Sequence, residues 1–124
     1  SPLRSCEDIE NCINNLNNNV DFVITISESK RSPWFNMVTN KKDGNLKLVN
    51  EIKNQTITRR QDVPETFDIT TVAYVSKANF ILNSASIWDG VVRGVKIPKK
   101  RAIDIDTKMD FEFAKYIYEN NVVL

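Results

Sequence analysis

The chain has 124 residues, enough for one ordinary domain and too few for two independent ones. With 41% hydrophobic and 27% charged residues and only 3 Gly and 4 Pro, its composition is that of a globular protein with a core, not of a disordered or fibrous chain. A formal charge of +1 provides no overall field toward nucleic acid or an anionic membrane, and the absence of His removes His-based triads, HExxH zinc sites and imidazole bases.

Ser5 with Asp8 three residues on is a capping-box pattern, and Ile9, Cys12, Ile13, Leu16 and Val20 follow at helical spacing. This predicts an amphipathic helix over about Glu7 to Leu16. Cys6 and Cys12 on that helix would lie roughly 9 Å apart along the axis and about 240° apart around it, so no disulfide joins them. Free thiols, no signal-peptide pattern and no apolar run near the ~20 residues that span a bilayer imply a cytoplasmic protein without a membrane partner.

An Asn-rich turn leads to Phe22–Ile26, a β-branched run without alternation, as in a strand buried on both faces. Phe35–Val38 and Leu46–Val49 flank Asp43-Gly44, a hairpin signal. Asn50 to Asp68 reads as a long loop with one short strand at most, and loops of this length in a compact domain are usually functional or disordered. Residues 33–68 thus form a hairpin and loop excursion. Thr70–Val75 is the next strand, Lys77–Asn83 a two-turn helix, and Val91–Ile97 a strand interrupted by Gly94. A last helix starts near Thr107, where Thr107 and Asp110 repeat the capping box, with Phe111, Ala114, Ile117 and Tyr118 on its apolar face. Strands alternating with helices indicate an α/β fold with a mainly parallel sheet.

Asp104-Ile105-Asp106 is the most pointed feature, because residues i and i+2 of an extended segment face the same way and bring two carboxylates together. Such a pair suits Mg²⁺, which takes one or two protein carboxylates and completes its shell with water and phosphate. The alternative is that Asp106 caps the following helix while Asp104 is a solvated residue. Arg59-Arg60-Gln61-Asp62 offers planar donors for a carboxylate or phosphate, or else a solvated loop with surface ion pairs. Lys96, Lys99, Lys100 and Arg101 read as a solvated basic face, not a nucleic-acid patch. No GxxxxGK[ST] or GxGxxG phosphate loop is present.

Four segments, in order, resemble the acylneuraminate cytidylyltransferase (CMP-sialic acid synthetase) family. Ser1-Pro2-Leu3-Arg4 is similar to the end of its PTSPLR motif, and Arg59-Arg60-Gln61-Asp62-Val63-Pro64 to its RRQDxP motif. Thr70–Val75 stands at the place of its NGAIYI strand, and Ile103–Thr107 with Asp110-Phe111 is similar to IDIDTxxDF. The resemblance implies a Rossmann-like nucleotidyltransferase in which a hydroxyl of an acidic sugar attacks the α-phosphorus of CTP and releases pyrophosphate. It implies Asp104 and Asp106 as Mg²⁺ ligands, Arg60, Gln61 and Tyr74 as residues lining the sugar site, and a homodimer whose hairpin and RRQD region cross to the partner. It assigns no residue a direct chemical role.

Departures from the family pattern accompany the match. Thr70-Thr71 replaces Asn-Gly, and Pro33–Met37 replaces a segment that often supplies a Lys to the sugar carboxylate, so a sialic-acid-like sugar is as fitting as sialic acid. The family's amino-terminal CTP-binding part has no counterpart here. The expectation is therefore that residues 1–124 are the carboxyl-terminal part of one cytidylyltransferase domain, inactive alone. The competing readings are an assembly or binding module that keeps the fold without catalysis, and a nucleic-acid binder using Lys96 to Arg101, which the near-zero net charge disfavours.

Overall fold

The computed structural model describes residues 1–121. They fall into two compact units, residues 28–67 and the remainder on either side of that insertion.

In the larger unit, α1 (Cys6–Asn15) starts where Ser5 accepts from the Asp8 N–H and Asp8 in return accepts from the Ser5 N–H. The sequence placed this helix within a residue of its observed ends. Both cysteines are free, Cys6 exposed and Cys12 buried. Strands β1 (Phe22–Glu28), β4 (Phe67–Ser76) and β5 (Val92–Lys96) form a sheet in the order β4-β1-β5. β1 and β5 are parallel, with Phe22 opposite Val92 and Ile26 opposite Lys96. Central β1 buries Val23, Ile24 and Thr25 in succession, which explains its unbroken β-branched run. The core joins Cys12, Val20, Val23, Val72, Val95 and Ile97. A short helix α2 (Ala78–Asn83) follows β4, and α3 (Lys108–Asn120) closes the unit, capped by Thr107 and Asp110 as expected. The α/β class holds and is compatible with a Rossmann-like arrangement.

The sheet departs from the expected mainly parallel one. Lys77 N–H donates to Asp21 O just before β1, while Thr70 and Ala73 lie beside Thr25 farther along it, so β4 runs antiparallel to β1 and the sheet is mixed. β4 also begins at Phe67, three residues before the expected start. Along it, buried Thr70 and Val72 are followed by Ala73 and Val75, which also pack against the core. The two-residue alternation therefore slips between Val72 and Ala73, as a β-bulge requires. The buried Thr25 hydroxyl fills the slip. It accepts from the Ala73 N–H (3.2 Å) and bonds the Thr70 hydroxyl (2.7 Å), with the carbonyls of Thr70 and Ala73 also in reach. β5 is not interrupted at Gly94. That residue pairs with Ile24, and a Cβ there would come within 2.6 Å of Ile26 Cδ1, so glycine leaves room for the Ile26 side chain to pack over β5.

In the unit of residues 28–67, β2 (Val38–Asn40) and β3 (Leu46–Leu48) pair antiparallel. Lys41 N–H donates to Asn45 O and Gly44 N–H to Lys41 O, with Gly44 at φ +86°, the left-handed position that a type I turn with a bulge demands. The Asp43-Gly44 signal thus marked the turn correctly. The following stretch holds no short strand but one 3₁₀ turn, Arg60–Asp62. Ser29 N–H donates to Thr66 O where the unit begins and ends.

Thr25→Val keeps the shape of the side chain and removes its hydroxyl, leaving the Ala73 N–H and the Thr70 hydroxyl without this partner in the core. A loss of about 1–3 kcal/mol is expected in urea unfolding, with a Thr25→Ser variant closer to the parent. Equal stability of Thr25→Val and the parent would refute the role of the hydroxyl.

Candidate functional site

The acid pair lies in the larger unit, on the segment between the 3₁₀ turn Lys99–Arg101 and α3. Ile105 lines an apolar cleft of about 330 Å³ with Leu3, Phe111, Ala114 and Tyr118, while its neighbours Asp104 and Asp106 are exposed. Asp104 keeps half of its side chain in solvent, 3.8 Å from the Ser1 amino group. The cap of α3 is Thr107 and not Asp106. The capping alternative for Asp106 therefore falls away.

Both ends of this segment are held. Downstream, Asp110 accepts from the backbone N–H groups of Asp106 (3.2 Å) and Thr107 (2.8 Å) and from the Thr107 hydroxyl (2.7 Å). The Thr107 hydroxyl, followed by the two N–H groups, holds the Asp110 carboxyl below its ordinary pKa. Upstream, the Ser1 hydroxyl lies within hydrogen-bond reach of the Arg101 and Ile103 carbonyls, at 2.9 and 3.0 Å. Arg101 itself grips Asp8 across 93 residues of sequence. Its Nε donates at 2.9 Å to Oδ2 and its Nη2 at 2.8 Å to Oδ1.

Asp8 is 1% exposed. Burial pushes its carboxyl up, but hydrogen bonds from Arg101 and Ser5 outweigh that and leave it below the usual carboxylate range. The same hydrogen bond raises Arg101. Burial first, and the Asp8 charge second, push the Cys12 thiol up, which keeps it protonated and unreactive. Sequence reasoning missed the pairing. Asp8 was visible as a helix cap and Arg101 as one of several surface cations; the capping box, which buries an acid at a helix start, was the available signal.

Tyr74 lies on β4 of the same unit, 52% exposed, with its ring 6.2 Å from that of Phe22, which in turn stands 6.2 Å from Phe80. No positive φ occurs at Thr70 or Thr71, so β-branched residues suit the backbone where the family pattern has Asn-Gly. Arg60 and Gln61 share the 3₁₀ turn of the 28–67 unit. Arg60 Nη1 donates to Lys30 O at 2.9 Å and Nη2 to Ser29 O, so two of its nitrogens anchor its own loop. Its remaining N–H directions are the ones that could meet an anion. Among the described residues, no group of three or more Cys, Asp or Glu could hold a metal ion. A two-carboxylate donor set matches the small protein contribution that Mg²⁺ takes beside phosphate and water. No helix of the described residues is long and apolar enough to cross a membrane.

No protein-family model matches the chain. It is 30% identical over 118 residues to the post-translational flagellin modification protein B of Campylobacter coli, a match covering 94% of this chain and 48% of that protein. It is also 30% identical over 95 residues to the CMP-N,N'-diacetyllegionaminic acid synthase of Campylobacter jejuni, covering 77% of this chain and 39% of that enzyme. The chain thus spans about half the length of the curated relatives it matches, or less.

The depressed native pKa of Asp8 makes a signed prediction for stability. Above the unfolded value of about 3.9 its contribution is complete, and it drains away as pH falls through the lowered native value. Asp8→Asn should cost on the order of 3 kcal/mol at pH 7, because Arg101 then loses its charged partner. In thermal melts, the gap between parent and variant should be constant from pH 7 to about 5 and close toward pH 2. A gap that widens in acid would refute this account.

Proposed function

We propose that this chain carries the metal-side and sugar-side residues of an enzyme that transfers CMP from CTP to an acidic sugar. The observation that carries the reading is the exposed pair Asp104 and Asp106, flanking Ile105 of the apolar cleft on a segment held at both ends, in a chain 30% identical to a CMP-sugar synthase. The reaction joins a sugar hydroxyl oxygen to the α-phosphorus of CTP, breaks the bond from that phosphorus to the β-phosphate bridge, and releases pyrophosphate. Asp104 and Asp106 would hold Mg²⁺. When bound, that ion supplies Lewis-acid charge neutralisation and a template for phosphate oxygens.

The residues of this chain do the positioning. Arg60, with two nitrogens committed to backbone carbonyls of its own loop, would offer its remaining donors to the sugar carboxylate. Tyr74 presents a phenol beside Phe22, and Gln61 adds an amide at the same 3₁₀ turn as Arg60. Such preorganisation is the main contribution open to a protein in transfer at phosphorus. The sugar is of the legionaminic or sialic type, the protein works in the cytoplasm, and neither nucleic acid nor membrane is a partner. A non-catalytic assembly or binding module that keeps the fold is the second reading, favoured by Thr70-Thr71 where the family pattern has Asn-Gly.

Pyrophosphate release from CTP, Mg²⁺ and N,N'-diacetyllegionaminic acid, measured on the full-length protein, tests the reading. Asp104→Asn and Asp106→Asn should each lower kcat/KM by about a hundredfold or more, equivalent to about 2.7 kcal/mol of transition-state stabilisation. Turnover that ignores both substitutions would sink the metal assignment, and a failure of the unsubstituted protein to release pyrophosphate would favour the assembly module. A homodimer is part of the proposal. It is supported by the apolar surface that α3 leaves exposed at Met109, Phe113 and Tyr116 and that α2 leaves exposed at Ile81 and Leu82. Light scattering at micromolar concentration should give twice the chain mass, and a monomeric mass would refute the dimer.

A further inference from the structure

We propose that the Asp8–Arg101 fork is a positioning device for the acid pair, holding the Ile103–Asp106 segment in a conformation that lets both carboxylates serve one cation. The inference rests on the metal reading of Asp104 and Asp106 given above. Its own basis is geometric. Arg101 ends the 3₁₀ turn just three residues before Asp104, and its guanidinium is fixed by two nitrogens to a carboxylate that is itself 1% exposed. Asp8 is fixed in turn by the start of α1, where it bonds the Ser5 N–H at 3.0 Å. The backbone leaving Arg101 is tied on its other side, where the Ser1 hydroxyl meets the carbonyls of Arg101 and Ile103.

Beyond the acids, Asp110 takes over through the Asp106 N–H. Four residues are therefore strung between two rigid anchors, one at the N-terminus of α1 and one at that of α3. A flexible pair of exposed aspartates would lose rotational and backbone freedom on closing around a cation; a pair on a pinned segment has lost part of that freedom on folding. Arg suits the upstream anchor because its planar fork sets both distance and direction, whereas a Lys ammonium sets only distance. Arg101 and Asp8 are in this sense positioning residues and touch no reactant.

The test uses the full-length protein with Mn²⁺ as the probe, in the parent, Arg101→Lys, Arg101→Met and the double variant Asp104→Asn/Asp106→Asn. Two readouts are taken: Mn²⁺ affinity from paramagnetic broadening, and amide hydrogen exchange at residues 103–107 compared with β1. Arg101→Lys is expected to weaken Mn²⁺ binding about tenfold and Arg101→Met further, the scale seen when support behind a metal ligand is lost, and to speed exchange at residues 103–107 by a larger factor than in β1, which reports the change in global stability. Unchanged affinity and unchanged exchange in Arg101→Lys overturn the proposal. So does exchange that rises equally in β1, since Arg101 would then serve global stability alone. If the parent shows no Mn²⁺ binding that the double Asn variant abolishes, the metal reading fails; the anchoring is then upheld or overturned by the exchange at residues 103–107. Should Arg101→Met fail to fold, Asp8→Asn replaces it.

Discussion

The larger unit depends on one buried carboxylate. Asp8 lies within the surface that α1 buries, where an unpaired charge would cost several kcal/mol. Its donors remove that cost: the Ser5 N–H closes the helix cap, and two nitrogens of Arg101 bring in a segment from the other end of the chain. The pairing thus couples a local event, helix initiation, to a long-range one, the placement of the turn that leads into the acid pair. Its energetic worth lies less in net attraction than in the penalty for separating either partner, a property that suits an anchor. The Asp8 charge also adds to burial, the larger cause, in pushing the Cys12 thiol up.

A second polar group shapes the sheet. Buried among β-branched neighbours, the Thr25 hydroxyl serves a backbone N–H and a second hydroxyl at the point where β4 bulges. Past the bulge, Ala73 and Val75 face the core, and Tyr74 between them is turned to the exposed side, against Phe22. Without the slip, the alternation begun at Thr70 and Val72 would have carried Tyr74 inward. The exposure of this phenol is therefore a consequence of bulge geometry.

Much of the local structure was legible because it is encoded over a few residues. Ser5 with Asp8, and Thr107 with Asp110, announced two helix starts through side chains that satisfy free N–H groups. Asp43-Gly44 announced a turn because only glycine adopts the required φ readily. The antiparallel direction of β4 was not legible, since a long excursion separates it from β1 and the apolar pattern of a buried strand carries no sense of direction. Gly94 was misread as an interruption for a related reason: its value lies in the Ile26 side chain that packs over it, 68 residues earlier in the chain. Of the candidate site, the acids themselves stood out by spacing, whereas Arg101 was indistinguishable from Lys99 and Lys100 until its partner was known.

Composition, spacing and capping chemistry by themselves determined the α/β class, the helix starts, the hairpin turn and the identity of the two neighbouring carboxylates. These are properties of residues within a turn or two of one another, where steric preference and local hydrogen bonding act alone. Tertiary structure decided which cation would be buried in a fork, which face Tyr74 presents, and how the backbone carrying Asp104 and Asp106 is held. Each of those depends on groups dozens of residues apart meeting in a core where every buried donor and charge must find a partner.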